Sequence, residues 1–159
     1  MTKTFNKAPV FEISKKDPSV VFLHNVRLSY PSLFQASAFP GAARATYSAH
    51  VLVPKDSQAA KDVMKYVEKV AKEKWGAKSA STLASIMADK QRTFWRDGAI
   101  KGSDEYVGNM FAALSNESRP RVVNVDNTEL SEEDGRPYSG CYVNVSFQIW
   151  IQDNKFGKG

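Results

Sequence analysis

Apolar and polar residues alternate most regularly near the C-terminal end, where Tyr138 to Gln152 reads YSGCYVNVSFQIWIQ. Val143, Val145, Phe147, Ile149 and Ile151 fall on one side of a period-two pattern. Tyr142, Asn144, Ser146, Gln148, Trp150 and Gln152 fall on the other. This predicts a long strand with a core face and a polar face that carries two large rings. An earlier strand starts at Val20, with Val20, Phe22, His24, Val26 and Leu28 against Leu23, Asn25, Arg27 and Ser29, and Tyr30-Pro31 is expected to break it. His24 on the apolar side reads as a satisfied buried imidazole. SYPSLFQASAFPGAA then reads as a connection marked by Pro and Gly, yet Leu33, Phe34 and Phe39 require it to pack on something. Ala45 to Pro54 is a further strand, with Tyr47, Ala49, Val51 and Val53 alternating against Thr46, Ser48, His50 and Leu52.

The period then changes to 3.6. Asp56 or Ser57 can cap a helix running to about Trp75, with Ala60, Val63, Val67, Val70 and Ala71 at helical spacing and Gly76 as its stop. A shorter helix is expected from Ser81 to about Lys90. RTFWRDG, Arg92 to Gly98, is an aromatic and cationic cluster on an expected loop, where Trp95 has the core as its other possible place. Tyr106 to Asn116 reads as a strand with Phe111 and Ala113 opposite Met110, Ala112 and Leu114. SNESRPR reads as a turn, Val122 to Val125 as a short strand, and Asp126 to Gly135 as an exposed acidic loop. Five strands with a helical insertion over about 56–90 predict a mainly β protein, a small closed or partly open antiparallel barrel over 20–159. Residues 1–19, with Lys3, Lys7, Lys15, Lys16, Pro9 and Pro18, predict a flexible basic leader.

A chain of 159 residues suits one domain that buries a real core. Cys141 is the single cysteine, and His24 and His50 are the only histidines, so neither a disulfide nor a transition-metal cage is expected. No apolar run approaches the roughly 20 residues that span a bilayer, and no signal-like segment opens the chain, so a cytoplasmic protein without membrane contact is expected. No phosphate-cradling glycine motif or nucleophile–base pattern is present. The expectation is no catalytic residue, no metal and no cofactor, with a carboxylate-based metal-dependent nuclease as the enzymatic alternative.

The formal charge of +5 favours a polyanionic partner. Single-stranded nucleic acid is bound by rings that stack bases, worth about 1–3 kcal/mol each, among cations that neutralise phosphates. The candidate stacking residues are Tyr30, Tyr47, Trp95, Phe111, Tyr142 and Trp150, each with a place in the core as its alternative. The candidate phosphate contacts are Arg27, Lys55, Arg92, Arg96, Arg119, Arg121 and Lys155. Arg119 and Arg121 flank the stiffening Pro120 and have an ion pair with the acidic loop as their alternative. A carbohydrate-binding barrel or a protein-interaction module could use the same rings, although neither needs the charge.

Several blocks in order, NVRLSYPSLF, TYSAHVLVPK, RDG, SRPRVV and YSGCYVNVSFQIW with NKFGKG, resemble a phage protein family long catalogued only as a domain of unknown function. It includes OB-fold single-stranded DNA-binding proteins of tailed bacteriophages. The likeness runs from about Val20 to Gly159. It implies a five-stranded OB barrel with a helical insertion that coats single strands in phage DNA replication, recombination and repair, in the cytoplasm of the infected bacterium. Weak duplex binding at low salt is expected beside it. The resemblance also implies an acidic C-terminal tail that contacts phage or host replication proteins. This sequence ends in NKFGKG instead, which reads as a truncation. A recombination factor or a replisome interaction module is the alternative class.

Overall fold

The structure is a computed structural model that describes residues 8–38, 40–41, 43–155 and 157–159. Lys3, Lys7 and Phe39, named above, lie outside the described residues. The strands are β1 (Val10–Ile13), β2 (Val20–Ser37), β3 (Thr46–Pro54), β4 (Trp95–Asp97), β5 (Asn109–Asn116), β6 (Tyr142–Gln148), β7 (Asp153–Asn154) and β8 (Gly157–Lys158). The helices, α1 (Gln58–Trp75) and α2 (Ser79–Met87), are inserted between β3 and β4. A six-stranded antiparallel sheet runs β1-β2-β3-β5-β4 with β6 also on β2, and β7 pairs with β8 as a separate hairpin.

Strand β2 organises the sheet. Leu23 pairs with Phe11 and Val145, and Arg27 pairs with Leu52 and Tyr142. So β1 and β3 follow one another along one edge of β2 while β6 takes the other. The result is the expected mainly β architecture with a helical insertion, a curled antiparallel half-barrel that is the partly open form of the barrel.

The curl comes from two irregularities. The register against β6 shifts between Leu23 and Val26, and that against β3 shifts between Ser29 and Ser32. Asn25 (φ 60) and Tyr30 (φ 48) take left-handed backbone at these two places. Each shift reverses which side of the strand faces inward. Val21, Leu23, Val26 and Leu28 are therefore buried, whereas Val20, Phe22 and His24, expected inside, are half-buried on the opposite face. His24 Nε2 lies 3.1 Å from a Glu12 carboxylate oxygen, an exposed partnership rather than a buried one. Pro31 does not end the strand, because the second irregularity leaves its missing N–H outside the regular ladder.

Ser57 caps α1 by accepting from the Ala60 N–H, and Gly76 ends it at a positive φ of 57° with its N–H on the Lys72 carbonyl. The buried stripe Ala59, Ala60, Val63, Tyr66 and Ala71 packs on the sheet. The main core joins Ala59, Ala60 and Val63 to Leu23, Val26 and Leu28 of β2, Ala49, Val51 and Val53 of β3, Trp95 and Ala112. Burying each of the larger aliphatic side chains contributes about 1.5–3 kcal/mol.

Within the expected flexible leader, residues 10–18 are tied to the fold: β1 is paired, Phe11 packs edge-on against Tyr66 at 5.8 Å, and the Tyr66 hydroxyl donates to the Pro18 carbonyl at 2.8 Å. Three expectations are corrected. The loop expected at Arg92 to Gly98 contains β4, which carries Trp95 into the core. The long last strand is regular only over Tyr142–Gln148. Val122 to Val125 contributes a single bridge, Val123 to Glu129, instead of a strand.

Candidate nucleic-acid interface

Directly paired residues of antiparallel strands share a face. The register therefore draws one row across five strands: Arg96 of β4, Phe111 of β5, Leu52 of β3, Arg27 of β2 and Tyr142 of β6. The adjacent row is Ala113, His50 and Ser29. Both rows lie on the face opposite the main core.

The turn after β4 covers part of this face. Asp97 caps a short 3-10 turn, Gly98–Lys101, by accepting from the Ala99 N–H at 2.9 Å. Gly98 allows the close return of the chain, since a Cβ there would collide with the Tyr106 carbonyl oxygen and lie 2.6 Å from that of Asn109. The returning chain lays Tyr106, fully buried, against Leu52 and Phe111 as a second apolar cluster. Its hydroxyl donates to Ser29 Oγ at 2.9 Å and lies 3.0 Å from His50 Nδ1. With the Tyr106 proton given to Ser29, its oxygen accepts from an Nδ1–H of neutral His50. The imidazole stays neutral because its pKa falls to about 4, through burial first and then through the charges of Lys101 and Arg96. Burial pushes the Tyr106 phenol up, against the opposing pull of its bond with Ser29.

Over this buried layer stands Tyr30, 61% exposed, at the second irregularity of β2. Its ring lies nearly parallel to that of Tyr106, with centroids 6.2 Å apart and 19° between planes, and edge-on to His50 at 6.3 Å. Lys101 Nζ lies 6.0, 5.8 and 6.0 Å from the centroids of Tyr30, Tyr106 and Phe111. The turn before β6 is clipped to the same stretch of β2: Gly140 N–H donates to the Leu28 carbonyl at 2.7 Å, and Tyr30 N–H to Ser139 Oγ at 3.4 Å. It presents Tyr138 and Tyr142, both exposed, beside Arg27. Arg27, Arg96 and Lys101 have no ion-pair partner among the described residues, so this face is cationic as well as aromatic. Arg96 is held by donating from Nε to the Thr93 carbonyl at 2.8 Å.

The structure brings together Tyr30, Tyr142, Arg27 and Arg96 of the residues expected from sequence. Two stacking candidates are corrected. Trp95 is 1% exposed and Phe111 is fully buried, so neither offers a ring face to a base. Trp95 packs in the main core with its indole N–H unpartnered, and Phe111 carries the Tyr106 cluster. Tyr47 is half-buried and Trp150 is 72% exposed. Both line a cleft of about 1110 Å³ between the helices, the sheet and the C-terminal hairpin.

Of the other candidate cations, two are in ion pairs, while Arg119 and Arg92, like Arg96 and Lys101, have none among the described residues. Lys55 pairs with Asp97 at 2.7 Å, and Arg121 with Glu129 at 3.4 Å. Arg119 lies over the Phe34 ring at 5.5 Å, and Arg92 Nε donates to the Lys158 carbonyl at 2.7 Å. Lys155 is exposed in the turn between β7 and β8. Sequence reasoning missed Lys101, Tyr106 and the pairing of His50. The one available signal is a tyrosine among Gly-marked turns, at a position where the pattern predicts the start of a strand.

A curled antiparallel sheet that exposes tyrosines among uncommitted arginine and lysine defines the class of OB-like single-strand binders. Within that class, the chain belongs to the family of the Enterobacter phage Enc34 single-stranded DNA-binding protein, whose model matches residues 19–159. The p50 protein of Acyrthosiphon pisum secondary endosymbiont phage 1 is 39% identical over 139 residues, covering 86% of this chain and 75% of that protein. Among solved structures, the single-stranded DNA-binding protein of bacteriophage Enc34 in complex with single-stranded DNA is 25% identical. It superposes with a TM-score of 0.71 over 97% of this chain and 89% of that one. Another structure of the bacteriophage Enc34 single-stranded DNA-binding protein gives 26% identity and a TM-score of 0.67, over 96% and 83% of the two chains. Among the described residues no helix is long and apolar enough to cross a membrane.

Proposed function

We propose that this chain binds single-stranded DNA without strong sequence preference, through the face that carries Tyr30, Tyr142, Arg27, Arg96 and Lys101. The observation that carries this reading is the coincidence of exposed rings with cations that no carboxylate among the described residues neutralises, in a member of a single-stranded DNA-binding family. Every base has a π face, so stacking tolerates any sequence, and the cations answer the backbone. Trp150 and Tyr47 extend the candidate surface toward the cleft. Lys55 and Arg121 are secondary contacts that must first exchange a carboxylate partner, and Arg92, Arg119 and Lys155 extend the cationic surface away from the tyrosines.

The role is coating rather than chemistry: rings, guanidinium groups and an ammonium bind a strand but do not cut it. In an infected bacterium such coating serves replication, recombination and repair, in the cytoplasm where the phage genome is copied. The test is fluorescence anisotropy with a labelled mixed-sequence single strand and its duplex, at low and physiological salt and with magnesium. Single-strand preference that persists at physiological salt, with the strand intact, is expected. Equal weak binding to both forms that salt abolishes would leave the charge as a bulk property, and scission with magnesium would make the protein a nuclease.

A further inference from the structure

We infer that Tyr30, Lys101 and the buried Tyr106 form one discrete nucleotide subsite, in which a base stacks on the outer face of Tyr30 and a neighbouring phosphate meets Lys101. The inference deepens the single-strand reading and rests on it. Three observations carry it. Tyr106 lies beside Tyr30 with the two ring planes 19° apart and centroids 6.2 Å apart, and the Tyr30 ring is 61% exposed, so it offers a flat ligand an open face. Tyr106 is itself fixed by a hydrogen bond to Ser29 at 2.9 Å and a contact with His50 at 3.0 Å, both at buried or half-buried positions. Lys101 Nζ stands 6.0 Å from the Tyr30 centroid and has no carboxylate partner among the described residues.

The ring of Tyr30 is thus prepared before any ligand arrives. Left-handed backbone at φ 48 directs it outward, Tyr106 supports one side and His50 meets it edge-on. A platform held in this way loses little freedom on stacking, which makes Tyr106 a positioning residue and Tyr30 the contact. Lys101 sits at the end of a 3-10 turn stopped by Gly102 in left-handed backbone, so its stem starts from a defined place beside the platform.

The experiment is a set of anisotropy titrations of the full chain with labelled oligo(dT) over a range of salt. Tyr30→Ala is expected to weaken binding about 5- to 150-fold, with the salt slope kept. Lys101→Gln is expected to lower the slope by about 0.7, the value for one phosphate contact on a single strand. Tyr106→Phe keeps the ring and removes the hydroxyl; it should weaken binding several-fold in the wild-type background and have no effect on top of Tyr30→Ala. A purely structural role would give the same loss in both backgrounds and would overturn the positioning claim. If Tyr30→Ala unfolds, Tyr30→Leu, which retains an apolar cover without a flat ring, carries the same expectation. Wild-type affinity in the Tyr30 variants, in a chain that does bind oligo(dT), would sink the subsite and leave the broader reading intact. No binding by the wild-type chain would sink both.

Discussion

His50 shows how one residue can serve the site without touching a ligand. Its pKa drops from 6.5 to about 4, chiefly through burial and then through Lys101 and Arg96, while Tyr106 occupies Nδ1 and Tyr30 meets its edge. The folded state therefore binds a proton less readily than the unfolded chain. Stability from this group is complete above about pH 6.5, falls as the pH drops toward 4, and levels off below that. The slope should stay under the full ~1.4 kcal/mol per pH unit, because the half-buried ring is partly screened by solvent. Asp17, Asp97, Asp126 and Glu133, all held below the ordinary carboxylate range, lose their contributions at still lower pH, so the two windows separate. Denaturant titrations of wild type and His50→Gln across pH 7 to 4 should converge as the pH falls. Parallel curves would mean that His50 takes up its proton without strain on the fold.

At the scale of elements, what could be read from sequence followed the regularity of the backbone. The helix from Ser57 to Gly76 and the strand ending at Pro54 were legible because cap, period and stop agreed. The sidedness of β2 was not, because two register shifts reversed its alternation around Asn25 and Tyr30, and neither residue is a glycine that would mark left-handed backbone. Trp95 and Phe111 were misplaced for a related reason. An aromatic beside cations looks the same in sequence whether its strand turns it outward or a returning loop covers it, as Tyr106 covers Phe111. That covering loop depends on Gly98. Gly98→Ala must displace the Tyr106 and Asn109 carbonyls, at a cost of about 1–3 kcal/mol for overpacking. A melting temperature lower by several degrees is expected, with faster exchange of the Asn109 amide, which donates to the Tyr106 carbonyl at 3.1 Å. An unchanged melting temperature would show that the loop backbone yields freely and that Tyr106 is not held by it.

Over the whole molecule, the large exposed rings among the described residues fall at two separate places. Tyr30, Tyr138 and Tyr142 stand together where β2 meets the start of β6, whereas Trp150 lies eight positions beyond Tyr142 at the rim of the cleft. An extended chain of that length spans about 26 Å. Trp95 is buried, and the Trp75 indole N–H donates to Asp153 at 2.9 Å, so Trp150 is the most exposed tryptophan. Tryptophan emission therefore reports on the Trp150 end, while anisotropy of a labelled strand reports binding anywhere. If the tyrosine face is the primary interface, an oligonucleotide near the short limit of about 4 nucleotides should bind at low salt with almost no tryptophan quenching. One near 16 nucleotides, the upper site size for a single OB fold, should add quenching that Trp150→Phe removes. Three uncommitted cations at the tyrosine end, Arg27, Arg96 and Lys101, would give the short strand a salt slope of roughly 2, from about 0.7 per phosphate contact. Quenching that is already complete with the shortest strand would reverse the order of occupancy. The cleft with Trp150, Tyr47 and Arg92 would then be the place where a strand first binds, and the tyrosine face would be its extension.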